Sequence, residues 1–212
     1  MNTSDQGDSG AIGRLSCSIV INSIVAVFEI VSGFIVGSLA LIVDALHNVT
    51  DVSSMVIGLW QKRKIVATKT DSNNHYQKMA AMATFIIGTI ILGTVIFVVF
   101  TAISRFTQPV EIISWQMAIV AAIALLGNLV ASYLFKKERH SIKTIWRRSW
   151  QDALISLLVI IGALAIYWTH YWWIDPALAI VISVFLFKVI YEVVMEALNL
   201  IYAADNREAI KK

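Results

Sequence analysis

The chain has 212 residues, 58% of them hydrophobic and 15% charged, with a mean hydropathy of +0.74. Soluble domains carry roughly 45–50% apolar and about 25% charged residues, so the apolar excess must face lipid and an ordinary soluble fold is excluded. A single cysteine, Cys17, excludes a disulfide framework and any Cys-rich zinc module.

In chain order, residues 1–13 are polar and weakly acidic, with Asp5 and Asp8 and no basic stretch. They do not read as a cleaved signal peptide, and a disordered cytoplasmic tail is expected. A helix needs about 20 mostly apolar residues to cross a bilayer. Six stretches qualify: 15–36, 39–60, 79–104, 115–135, 150–169 and 173–201. Continuous apolar runs without two-residue alternation select helices over strands. The fold expected is therefore an all-α integral membrane protein with six transmembrane helices over residues 14–205.

The first span holds Cys17, expected as a small buried hydrophobe, and Gly33 and Gly37, whose G-x-x-x-G spacing reads as close helix packing. A hinge at Gly37-Ser38 makes the first two spans a tight hairpin. Thr107-Gln108-Pro109 separates the third from the fourth, and Ile174-Asp175-Pro176 opens the sixth, where proline is tolerated in the first turn. Residues 206–212 are expected as a short cytoplasmic tail, with no C-terminal cytoplasmic domain.

The basic residues orient this bundle. Arg14 precedes the first span; Lys62, Arg63, Lys64, Lys69 and Lys78 lie between the second and third; Lys136, Lys137, Arg139, Lys143, Arg147 and Arg148 lie between the fourth and fifth; Arg207, Lys211 and Lys212 follow the sixth. Fifteen of the 17 lysines and arginines thus fall on one side, which places both termini in the cytoplasm. The basic pI is a topology signal, and no basic stretch argues for nucleic acid. Tyr167, Trp168, Tyr171, Trp172 and Trp173 form an aromatic belt at the outer interface, with Trp146 and Trp150 marking the inner one.

Ionisable residues inside spans are costly and mark functional sites by default. Asp44, His47 and Asp51 in the second span are spaced i, i+3, i+7 and share one helical stripe. His and Asp at i, i+4 can offer an imidazole nitrogen and a carboxylate oxygen to one point, and both ligate zinc and similar dications. The bland alternative is a His–Asp hydrogen bond that knits helices together. Asp152 lies in the fifth span. Glu29, Asn22 and Asn128 are candidates for a polar relay, Glu29 either hydrogen-bonding across helices or exchanging protons. Lys188 and Glu192 are expected to form an internal ion pair, with Glu196 continuing their stripe and a second ion or proton relay as the alternative. His75, His140 and His170 are expected to be solvated.

The run from Gly37 to Asp51, GSLALIVDALHNVTD, resembles the second-span signature of the cation diffusion facilitator family. Pro109-Val110-Glu111-Ile112, Gly127-Asn128-Leu129-Val130, Asp152-Ala153-Leu154 and Trp173-Ile174-Asp175-Pro176 follow in the same order as in that family, over roughly residues 15–205. The resemblance implies proton-coupled efflux of a divalent metal ion, with zinc expected first and manganese, iron, cobalt or cadmium as alternatives. It implies metal ligands His47, Asp51 and Asp152, from H/D-x-x-x-D pairs on the second and fifth spans. Four residues before Asp152, where the family commonly has His or Asp, stands Arg148. Arginine cannot ligate a metal and stays protonated. It either pairs with Asp152 in place of the ion or snorkels to the interface and leaves Asp152 free. In the second case Asp44, Ser149 or water would complete the coordination.

Two readings follow: a transporter working between the second and fifth helices, or a non-transporting relative that acts as a structural or regulatory partner, with Arg148 replacing the ion. An enzyme is not expected, because no nucleophile elbow, H-E-x-x-H or phosphate-cradling loop is present. An exporter of organic cations would use buried carboxylates too, but the His47–Asp51 pair argues for metal. Lipid, dications and protons are the expected partners, with a homodimer through the transmembrane helices, no nucleic acid and no organic cofactor. The expected location is the plasma (inner) membrane.

Overall fold

The computed structural model describes residues 3–68, 73–135 and 142–210, except for the side chains of 3–12, 14, 62, 65–68, 73–74, 132, 134–135, 142–151 and 205–210. Six helices account for them: α1 (Thr3–Val36), α2 (Leu39–Thr68), α3 (Asn73–Arg105), α4 (Ser114–Phe135), α5 (Ile142–Thr169) and α6 (Ile174–Ile210). Each carries a stretch long and apolar enough to cross a membrane, from 18 residues in α4 and α5 to 31 in α3 and α6. The chain is a multi-pass integral membrane protein. The helices outrun their apolar stretches. α1 starts at Thr3, within the polar residues 3–13, and α2 continues through Lys62–Lys64 to Thr68.

The helices pack as a pair, α3 with α6, against a group formed by α1, α2, α4 and α5, in which α1 packs on α2 and α4, and α4 on α5. α2 touches α1, α3, α5 and α6, and is the central helix. Half of its membrane window is buried, against 28% for α3 and α6, so the span that carries Asp44, His47 and Asp51 is also the one best shielded from lipid. Leu41 and Val43 of α2 pack with Val95, Met117, Val159, Ile182 and Leu186 from the other helices. Phe34, Phe97, Phe100 and Leu126 point outward, as a lipid-facing surface requires. Trp168 is 81% exposed, and Tyr167, Tyr171, Trp172 and Trp173 are exposed beside it, at the end of the bundle that the charge distribution turns outward. Trp146 and Trp150 lie outside the described side chains. Cys17 is exposed rather than buried: its side of α1 faces the apolar surroundings directly, where a thiol is tolerated as a hydrophobe.

The two glycines of the G-x-x-x-G do different jobs. A Cβ on Gly33 would sit 2.8 Å from Cγ1 of Ile42, so Gly33 does permit close packing of α1 on α2. Gly37 has φ 78°. With the Ser38 amide donating 2.9 Å to the Gly33 carbonyl, it ends α1 in a Schellman turn that a left-handed glycine allows. Gly37 is therefore a helix stop, and a Cβ there would meet the Glu111 carbonyl oxygen at 2.9 Å.

The turn leads into a tightly capped α2. The Leu41 amide donates to Ser38 Oγ at 3.2 Å, the usual N-cap bond. Asp175, fully buried at the start of α6, accepts from the Leu39 amide at 2.8 Å, the Ala40 amide at 3.2 Å and the Ser38 hydroxyl at 2.6 Å. Arg105, the last residue of α3, lies 3.6 Å from the Asp175 carboxylate and donates to the Gly37 carbonyl. The outer ends of α1, α2, α3 and α6 are thus tied through one buried carboxylate.

Candidate metal centre

His47 and Asp51 lie one turn apart on α2, so both point from the same side of the helix toward α5. Asp152 stands near the start of the apolar part of α5. Its Oδ1 is 2.7 Å from His47 Nε2, bridging residues 105 positions apart. One donor atom from each of His47, Asp51 and Asp152 lies within 4.8 Å of the other two. The three side chains are buried, at 3%, 8% and 6% exposure. Uncompensated carboxylates in such a place are expensive, by several kcal/mol each, and a dication held between them would offset that cost. His47 Nδ1 accepts and donates no hydrogen bond, and the His47 ring lies 6.3 Å from Phe185 of α6.

Asp44, one turn before His47 on the stripe, lies outside this group. It is fully buried and accepts a 3.0 Å hydrogen bond from Ser156 Oγ, which in turn accepts from Asn128 Nδ2 of α4 at 3.4 Å. Glu29 of α1, also fully buried, accepts from Asn48 Nδ2 at 2.7 Å. Asn22 is buried on α1, two turns toward the N-terminus from Glu29. Of the expected relay, Glu29 and Asn128 thus join the polar interior around α2, linked through Asn48 and Ser156. Sequence reasoning passed over these two residues. The available signals were position alone: Asn48 follows His47, and Ser156 falls one turn beyond Asp152. Asp175 was read only as the entry to the sixth span; its capping of α2 is a tertiary contact with no local signature.

α5 is continuous from Ile142, so Arg148 and Ser149 sit one turn before Asp152 on the helix; their side chains lie outside the described residues, as does His140. Lys188, Glu192 and Glu196 are exposed on α6, and the expected Lys188–Glu192 ion pair is absent among the described residues. Both side chains are free to bend away from the helix instead of toward each other. His75 and His170 are exposed, as expected; His170 takes φ 55° in the turn that follows α5.

A cavity of about 410 Å³ opens between α2, α3 and α6 at the basic end, lined in part by Gln61, Gln77 and Glu196. It shares Ser54, Ile57, Thr84 and Val193 with a narrower pocket that reaches Thr50, the neighbour of Asp51. At the opposite end the helices are closed by the Asp175 cluster. The cavity thus opens at the basic end and narrows toward Thr50, and the tied, buried junction around Asp175 lies at the other end.

The family described as cation efflux transmembrane domain matches residues 15–202. The chain is 27% identical over 199 residues to "Zinc transporter ZitB" of Pectobacterium atrosepticum, covering 91% of this chain and 62% of that protein. It is 27% identical over 194 residues to "Metal cation efflux system protein CzcD" of Cupriavidus metallidurans, covering 88% and 60%. To the "Cadmium, cobalt and zinc/H(+)-K(+) antiporter" of Bacillus velezensis it is 24% identical over 183 residues, covering 82% and 58%. The chain thus spans about three-fifths of the length of these curated relatives.

Proposed function

Because the chain belongs to the cation efflux transmembrane-domain family, we propose that it carries a divalent metal ion out of the cytoplasm, at a site formed by His47, Asp51 and Asp152 between α2 and α5. One observation carries this reading: three buried donor atoms from two helices converge within 4.8 Å. One imidazole nitrogen and two carboxylate oxygens suit zinc, whose open four-coordinate sites keep a position for water or a transient ligand. Manganese, iron, cobalt and cadmium accept the same donors with different preference. The names of the relatives, which include zinc, cadmium and cobalt, support zinc as the first ion to test.

In this reading the cleft at the basic end is the cytoplasmic entrance and the capped junction opposite is the closed outer side, an inward-facing state. An ion would enter past Gln61 and Ser54, lose water against Asp51, and displace the His47–Asp152 hydrogen bond as it binds. Release toward the outer side requires α2 and α5 to move relative to α3 and α6. Metal ligation demands a neutral histidine and ionised carboxylates, so protons and metal compete for the same atoms. Proton exchange follows as the natural coupling. The membrane is the plasma (inner) membrane in this reading, and association of two copies through the transmembrane helices is compatible with it.

The alternative, a non-transporting partner, draws on the identity and position of Arg148, a cation in the sequence one turn before Asp152. Zinc flux into vesicles reconstituted with the purified protein separates the two. Flux that depends on Asp51 and Asp152 supports transport; absence of both flux and zinc binding supports the partner.

A further inference from the structure

We propose that Glu29 and Asp44 form a second, all-oxygen subsite for a divalent cation, one helical turn outward of His47. Both side chains are fully buried, at 0% exposure. In each carboxyl group one oxygen is held by a neutral donor: Glu29 Oε2 by Asn48 at 2.7 Å, and Asp44 Oδ2 by Ser156 at 3.0 Å. The other two oxygens, Glu29 Oε1 and Asp44 Oδ1, are buried and accept no hydrogen bond. Asn48, which holds Glu29, follows Asp44 by one turn on α2, so the two carboxyl groups are set against the same stretch of that helix. When both are ionised, two such carboxylates, each with a buried oxygen that accepts no hydrogen bond, repel unless a cation or a shared proton stands between them. Among the described residues, neither is paired with a lysine or arginine.

Charge balance points the same way. An ion held by His47, Asp51 and Asp152 is neutralised by the two aspartates, since the histidine binds metal in its neutral form. With both ionised, Glu29 and Asp44 would add two further negative charges, enough for one more dication. The donors there are oxygens alone, including the amide of Asn48 and the hydroxyl of Ser156 as flanking groups. Such a set favours a hard or partly hydrated ion, and binds zinc less tightly than a site with a nitrogen ligand.

The position suits transit. Asp44 precedes His47 by three residues on α2, and Ser156 follows Asp152 by four on α5. The subsite therefore lies about 4.5–6 Å further along the same two helices, on the side away from the cytoplasmic cleft. An ion leaving His47 meets it next. The transit role rests on the proposed transport reading, whereas the existence of the subsite does not.

The test is the number of zinc ions bound by the purified full chain in detergent, measured by equilibrium dialysis and elemental analysis. The subsite predicts two ions per chain at saturation, one in Glu29→Gln, one in Asp44→Asn, and one in Asp152→Asn, in which the first site is impaired. Unchanged helical content and elution volume show that each variant is folded; if Glu29→Gln does not accumulate, Asp44→Asn reads the same pair. One ion in the unmutated chain, unaffected by Glu29→Gln and Asp44→Asn but lost in Asp152→Asn, overturns the subsite while leaving the His47 centre standing. It would mean that a shared proton, not a metal, sits between the carboxyls. Two ions that persist in Glu29→Gln and Asp44→Asn, or no zinc bound at all, overturn it as well.

Discussion

The hydroxyl of Ser38 donates a 2.6 Å hydrogen bond to the carboxylate of Asp175, joining residues 137 positions apart at the outer end of the bundle. The same carboxylate takes the first two amides of α2 and lies beside Arg105. His47 and Asp51 hang from this helix two to three turns further in, so the cap fixes the height and rotation of the proposed ligands.

Removing that carboxylate should be costly. Asp175→Ala leaves Arg105 beside an emptied, buried place and two amides without acceptors, a loss of about 3–5 kcal/mol for a broken buried ion pair. The melting temperature of the detergent-solubilised protein, followed by tryptophan fluorescence, is expected to fall by roughly 6–20 °C at this chain length. A shift within error of the unmutated protein would show that the cap carries no such energy.

Gly37→Ala places a side chain at φ 78°, 2.9 Å from the Glu111 carbonyl oxygen. A left-handed conformation costs an alanine about 1–2 kcal/mol, and the clash adds to that. Gly33→Ala must instead push Ile42 aside. Both variants are expected to melt lower than the parent, and Gly37→Asn, which tolerates the left-handed region, less so than Gly37→Ala. Equal melting of Gly37→Asn and Gly37→Ala would remove the backbone argument.

The spans, their order and the intramembrane charges, among them His47, Asp51 and Asp152, were legible in the sequence for a physical reason, while grouping those three as ligands came from the family resemblance. Lipid forces each crossing to be a long apolar run, and it makes every intramembrane charge conspicuous. The rest was not legible, because it depends on which helices meet. Asp175 was legible only as part of the Trp173–Pro176 run that opens the sixth span; the packing of α6 beside the α1–α2 turn makes it a cap. Asn48 and Ser156 are common residues in any helix and gained meaning from Glu29 and Asp44 across the interface. Gly37 fits a packing motif and a helix stop equally well until its φ is known. Lys188 and Glu192 have ion-pair spacing, but spacing permits a contact on an exposed helix face without compelling it.

Arg148 stands one turn before Asp152, where the family resemblance implies a histidine or aspartate. Arg148→His is expected to tighten zinc binding by about tenfold or more, since one added ligand contributes well over 1.4 kcal/mol. Calorimetric titration of both proteins measures this. Binding that appears only in the variant would favour the non-transporting reading.

Zinc affinity should fall as the pH falls. Each proton that must leave a ligand before the metal binds weakens the apparent affinity by up to about tenfold per pH unit below that ligand's titration. Titrations at about pH 7.5 and about pH 5.5 are expected to differ by at least an order of magnitude, with binding weaker at the lower pH. An affinity unchanged over this interval would exclude competition between protons and metal at these atoms.

The most direct test of the central claim is zinc flux into sealed vesicles reconstituted with the purified chain, carrying a zinc-sensitive dye inside and an imposed proton gradient. Zinc uptake in the unmutated protein is expected, and it should be abolished by Asp51→Ala and by Asp152→Ala, while both variants remain folded and inserted. Undiminished flux in both variants would contradict a transport site at His47, Asp51 and Asp152.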